Sequence, residues 1–119
     1  MIKRFLAAFA TLMVVVGCGS SSSMEKTMLT ANTIIIDVRT PAEYVEGHVE
    51  GAINLDLESG QFEAELPNLD PAQPYIVYCR SGRRSGVAVE IMKASGFTQI
   101  TDYQTLENAA NNTGLPIIE

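Results

Sequence analysis

The chain has 119 residues, a formal net charge of −6 and 46% hydrophobic residues. That length suits one small domain with one modest core. So acidic a balance is a poor match to nucleic acid, which selects basic surfaces.

Met1 to Gly17 opens with Lys3 and Arg4 and continues in an apolar run from Phe5 to Val16. The run is too short for a membrane-spanning helix and has the layout of a signal peptide. It ends in Val15-Val16-Gly17-Cys18. Small residues before a cysteine at the end of an apolar segment resemble the lipobox of bacterial lipoproteins. The resemblance implies cleavage before Cys18 and lipidation of its thiol and new amino group. An ordinary signal peptide, or an uncleaved anchor with an incidental cysteine, shares this layout. The Gly/Ser-rich stretch Gly19 to Ser23 reads as part of a flexible tether over 18–26, leaving a domain over 27–119. Position 19 is Gly rather than Asp, which by the sorting rule of Gram-negative lipoproteins leans towards the outer membrane. The expected location is the cell envelope, lipid-anchored and facing the periplasm. Loss of Lys3 and Arg4 with the signal leaves six cations against fourteen acids, a formal charge of −8.

Thr33-Ile34-Ile35-Ile36-Asp37-Val38 is a continuous β-branched run, suited to a strand buried on both faces. Thr40-Pro41-Ala42-Glu43-Tyr44 reads as an N-cap, a proline at the first helical position and a short helix, which Gly47-His48 breaks. Ala52 to Leu55 is a short second strand. Ser59 to Leu66 is a short amphipathic helix stopped by Pro67, and Asn68 to Pro74 is a loop. Tyr75 to Tyr78 is the central strand. Ser85 to Ala94 is a helix that Ser95-Gly96 ends. Phe97 to Thr101 is a further strand, and Thr105 to Asn112 a last helix closed by Gly114 and Pro116. Strands alternating with helices predict an α/β fold, a parallel sheet with helices on both faces.

Cys79 ends the central strand, and the loop Arg80-Ser81-Gly82-Arg83-Arg84-Ser85 leads into a helix. Loops at the carboxyl ends of parallel strands carry active sites. Backbone N–H groups at such a helix start bind anions. The same field, with nearby arginines, favours thiolate over thiol, and the thiolate is the reactive form. Three of the six remaining cations sit in this loop, so a small anion is the expected ligand. With Cys18 lipidated, Cys79 has no disulfide partner in the chain. A buried, inert cysteine is the alternative, but Arg80, Arg83 and Arg84 do not border an apolar burial site. No His/Cys/Asp cluster has metal-ligand spacing, so neither a metal nor another cofactor is expected.

Two separated motifs coincide with this reading. Asp37-Val38-Arg39-Thr40-Pro41-Ala42-Glu43-Tyr44, followed by Gly47-His48-Val49-Glu50-Gly51-Ala52-Ile53-Asn54, resembles the N-terminal signature of rhodanese-homology domains. Tyr78-Cys79-Arg80-Ser81-Gly82-Arg83-Arg84-Ser85 resembles their active-site loop. The resemblance covers roughly Thr27 to Pro116 and implies a rhodanese-like α/β sandwich around a five-stranded parallel sheet. It further implies sulfurtransfer through a Cys79 persulfide: a thiosulfate-like donor gives its outer sulfur to Cys79, and cyanide or a thiol takes it. Loop amides and Arg80 hold the donor, with Ser81, Gly82, Arg83, Arg84 and Ser85 completing the binding loop. Cdc25-type phosphatases share the fold, but their loop is cysteine, five residues, then arginine, and Ser85 stands at that arginine position here. Many members of the family carry a Gly-Gly-x-x-x-Trp segment after the last strand. This chain has Asp102-Tyr103-Gln104-Thr105-Leu106-Glu107-Asn108-Ala109-Ala110 and no Trp, with Leu106 and Tyr103 as candidates for that packing role.

Asp37 and Arg39 read as structural, a carboxylate at a strand end capping a turn or pairing with an arginine. His48 reads as a packed, hydrogen-bonded turn residue, since a thiolate held by loop dipoles needs no base. Glu43 and Tyr44 read as helix-surface and core positions, and Glu90 as an acid available to Arg83 or Arg84. A sulfur carrier or thiol-redox partner, and a rhodanese module without catalysis, are the competing functional readings.

Overall fold

The computed structural model describes Thr30 and residues 32–119. The expected signal segment, Cys18 and most of the tether lie outside the described residues. In chain order the elements are β1 (Ile34–Asp37), α1 (Pro41–Glu46), β2 (His48–Val49), β3 (Ile53–Asn54), α2 (Gln61–Glu65), a 3-10 turn (Leu66–Asn68), β4 (Tyr75–Cys79), α3 (Arg83–Ala94), β5 (Ile100–Thr105), α4 (Leu106–Thr113) and β6 (Ile117–Ile118).

Four strands form a parallel sheet in the order β3-β1-β4-β5. The resemblance implied five strands; among the described residues the parallel sheet has four. The rest of the strand content lies in a separate antiparallel pair, where His48 faces Ile118 and Val49 faces Ile117. Two-residue strands carry no periodicity, so β6 was not foreseen.

Side chains alternate between the two faces of a strand, and the core divides accordingly. Ile36, Tyr75, Val77 and Cys79 point to a layer closed by Phe62, Leu66, Ala88, Met92 and Phe97. Ile35, Ile76 and Tyr78 point to a second layer, with Val49, Ala52 and Ala109. Tyr44, Tyr103 and Leu106 pack against that second layer, as expected of them. Every residue of β4 is buried, which sets the height at which Cys79 leaves the sheet.

Several boundaries differ from expectation, among them the start of α3, at Arg83 rather than Ser85. The helix expected over Ser59 to Leu66 begins at Gln61, and Pro67 sits inside the 3-10 turn rather than ending a helix. It occupies an early position of that turn, where a missing N–H costs little. Phe97 is not in a strand. Its N–H donates to the Met92 carbonyl at 3.1 Å, and that of Gly96 (φ +95°) to Lys93. Phe97 therefore closes the end of α3, and β5 starts at Ile100.

A buried ion pair ties the front of the molecule together. Arg39 Nη2 lies 2.7 Å from Asp37 Oδ2, and Arg39 Nε and N–H both donate to Asp37 Oδ1. The same Nη2 donates to the Gly47 carbonyl at 2.6 Å. Asp37 is fully buried and Arg39 nearly so. Removing one partner from such a pair costs about 3–5 kcal/mol, because a charge is left buried without compensation. The pair is thus a structural brace that joins the end of β1 to the end of α1, in keeping with the expectation for both residues.

Candidate active site

The site forms where β4 ends and α3 begins. Gly82 is the N-cap of α3 and holds φ +101°. Its N–H donates to Cys79 Sγ at 3.0 Å. Burial pushes the Cys79 thiol up, but hydrogen bonds from the Ser85 amide and hydroxyl and from the Gly82 and Ser81 amides outweigh it. The net effect holds the thiol below its ordinary value. Ser85 is fully buried, and its hydroxyl also reaches the Gly82 carbonyl at 3.1 Å. A hydroxyl has one proton, so it serves that carbonyl or the sulfur, and a thiolate draws it to the sulfur. Cys79 is the one free cysteine among the described residues, and contrary to the expectation from its bordering arginines it is fully buried against the apolar layer.

The three loop arginines do different things. Arg84 is held in a two-point contact by Glu43, with Nη1 2.9 Å from Oε1 and Nη2 3.2 Å from Oε2. Arg80 reaches the same carboxylate at 3.4 Å, but its side chain is 71% exposed. Arg83 is exposed at the first turn of α3. Neither Arg83 nor Arg84 pairs with Glu90, which instead lies 3.9 Å from Lys93. The shared helix makes Glu90 a near neighbour in sequence, but it stands two turns along α3, whereas α1 sets Glu43 against the loop.

Glu43 is the residue that sequence reasoning missed. It was read as a helix-surface position, yet its side chain is only 16% exposed. It closes the capping box with Thr40, whose N–H and hydroxyl donate to Oε1. One carboxylate therefore caps α1 and fixes the loop of α3. The Arg84 hydrogen bonds, with those from Thr40, hold it at about 2, well below the usual carboxylate range. The Thr-x-x-Glu spacing was the available signal, but it announces a cap, not a partner 41 residues away.

His48 stacks on Tyr44 with ring centroids 3.7 Å apart, and its Nδ1 lies 2.7 Å from the Tyr44 carbonyl. A carbonyl only accepts, so Nδ1 carries the proton. His48 is packed and hydrogen-bonded as expected, but it opens strand β2 rather than lying in a turn. Tyr44 sends its hydroxyl proton to the Ala52 carbonyl at 2.6 Å. Beside the loop lies a cleft of about 410 Å³, bounded by Arg80, Glu43, Glu46, Leu106, Glu107 and Ile117 among others. Among the described residues no group of His, Cys, Asp and Glu side chains is arranged to hold a metal ion.

β5 supplies the opposite wall. A bulge skips Tyr103, so that Val77 faces Asp102 and Tyr78 faces Gln104. Gln104 has φ +73°, the one non-glycine residue with positive φ among those described. For a residue with a Cβ this costs about 1–2 kcal/mol. The Asp102 carboxylate accepts the Gln104 N–H at 2.9 Å, and the Gln104 carbonyl accepts the Cys79 S–H at 3.4 Å.

The family model described as Rhodanese-like domain matches residues 20–105. The chain belongs to the rhodanese-like family. It is 37% identical over 75 residues to Thiosulfate sulfurtransferase PspE of Escherichia coli, covering 63% of this chain and 72% of that protein. It is 31% identical over 83 residues to Thiosulfate:glutathione sulfurtransferase of Saccharomyces cerevisiae, 60% of each. A solved rhodanese with anions from E. coli superposes with a TM-score of 0.60 at 34% identity, covering 73% of this chain and 98% of that one. Sulfur transfer is the chemistry for which these relatives are named.

The Glu43 clamp has a pH signature. Its folded-state value near 2 lies below the ordinary 4.5, so its contribution to stability is complete above about pH 4.5 and is lost as pH falls towards 2. Unfolding free energy of the wild type, measured by denaturant titration, should fall across that window more steeply than that of Glu43→Gln. Parallel pH profiles for the two proteins would show that the clamp contributes nothing.

Proposed function

We propose that the protein is a thiosulfate-type sulfurtransferase that works through a persulfide on Cys79. The observation that carries this reading is the Cys79 sulfur beneath the start of α3, where the Gly82 N–H donates to it at 3.0 Å and the neighbouring Ser81 and Ser85 groups help to hold the thiol below its ordinary value. Donors fixed in that arrangement stabilise the attacking thiolate, and the same loop lies beside the anionic persulfide that follows it.

In the first step the Cys79 thiolate attacks the outer sulfur of thiosulfate. A new S–S bond forms at Cys79, the S–S bond of thiosulfate breaks, and its electron pair leaves with sulfite. In the second step cyanide or an external thiolate attacks the terminal sulfur of the persulfide, and the bond pair returns to Cys79. One difficult transfer becomes two easier ones, with no change in total charge across either step. Arg80, exposed at the loop, adds positive charge on the approach of the donor, while Arg84 is committed to Glu43. No second thiol is present among the described residues, so the acceptor must come from outside. The neighbouring cleft offers it room. A sulfur-carrier role would share the first step and differ only in passing the sulfur to a protein.

Thiocyanate release from thiosulfate and cyanide tests the reading. Parallel lines in a double-reciprocal plot are expected, as a covalent relay requires, and Cys79→Ser should lower the rate by at least about a thousandfold. Equal thiocyanate release from Cys79→Ser and wild type would overturn it.

We further propose that the mature protein is tethered to an envelope membrane by lipid on Cys18. The support is the sequence alone: Lys3 and Arg4, the run from Phe5 to Val16, and the small residues before Cys18. On phase separation in a non-ionic detergent, the wild type expressed in a bacterial host should enter the detergent phase and Cys18→Ala should leave it. Identical partitioning of the two would contradict lipidation.

A further inference from the structure

Gln104 is strained for a reason that the fold alone does not supply. The β5 bulge turns its carbonyl inward to the Cys79 S–H. The same left-handed backbone lays its side chain across Gly82: a methyl group on Gly82 would sit 3.3 Å from Gln104 Cβ and 3.5 Å from Cγ. Gly82 is the residue whose amide donates to the sulfur. The stem of Gln104 thus rests on the cradle itself, and its carboxamide makes no hydrogen bond within the described residues. The residue is exposed, so the carboxamide is open to a ligand at the mouth of the loop.

We propose that Gln104 is a specificity-determining residue that recognises the oxyanion end of the sulfur donor. The proposal rests on the sulfur-transfer reading of the loop. The amides of Ser81, Gly82 and Ser85 are used on the sulfur atom that attacks. When the outer sulfur of a donor meets Cys79, its oxygen-bearing end projects away from those amides. That end has three acceptor oxygens and needs donors beyond the loop. A primary carboxamide supplies two N–H groups without a charge, directed by geometry rather than by field. Donors that carry an oxyanion, such as thiosulfate, gain that contact. Donors without oxygens at that end, such as a thiol persulfide, do not.

The test uses Gln104→Ala, which removes the carboxamide, and Gln104→Gly, which also relieves the left-handed backbone. Protection of Cys79 from iodoacetamide by sulfite reads oxyanion binding without turnover. In both variants the sulfite concentration for half-protection should rise at least about tenfold, the worth of a hydrogen bond to a charged group. For Gln104→Ala, kcat/KM should fall by a larger factor for thiosulfate than for glutathione persulfide. Gln104→Gly should in addition melt at a higher temperature. An unchanged half-protection concentration in either variant overturns the proposal, as does wild-type alkylation that sulfite does not slow. A protein that is protected by sulfite in a Gln104-dependent way, yet forms no persulfide, would keep this inference and discard the sulfur-transfer reading.

Discussion

A buried strand must end here with its last side chain beneath the first turn of a helix. β4 is buried throughout, so it cannot slide, and alternation along it directs Cys79 to the α3 side of the sheet. Gly82 then reverses the chain with a backbone angle that only glycine adopts freely. The free amides of the helix start are thereby aimed at one sulfur. In that position the thiol pays for burial and is more than repaid by hydrogen bonds. The reactivity assigned to Cys79 follows from backbone placement more than from any neighbouring charge.

Two ion pairs hold this arrangement from outside, and they have different characters. Asp37 and Arg39 are buried and join β1 to the end of α1. Glu43 and Arg84 join α1 to the start of α3. Together they connect the carboxyl end of β1, the helix after it and the Cys79 loop into one chain of contacts. Arg84 is thus a strut for the loop, which leaves Arg80 and Arg83 as the loop arginines with side chains open to an incoming anion. The cost of positive φ at Gln104 is borne on the other wall, where a glycine would have been the unstrained choice.

Much of this was legible in the chain. The β-branched run of β1, the Tyr75 to Tyr78 strand and the helix after the loop announce themselves by residue type and length. Thr40-Pro41 marks the start of α1 to the residue. What could not be read was set by distant partners. The Thr-x-x-Glu spacing marks Glu43 as a cap, but nothing local points to Arg84, which arrives 41 positions later. Phe97 looks like a strand residue, but tertiary packing uses it to close α3. The bulge at Tyr103 and the left-handed Gln104 leave no periodic trace. Their one hint was the absence of the glycines that many members of the family carry there.

The most direct test of the central claim is the intact mass of the reduced protein after brief exposure to thiosulfate. A gain of about 32 Da, one sulfur atom, should map to the peptide containing Cys79 and should vanish on addition of cyanide. No gain in mass, or a gain that persists in Cys79→Ser, would contradict the account.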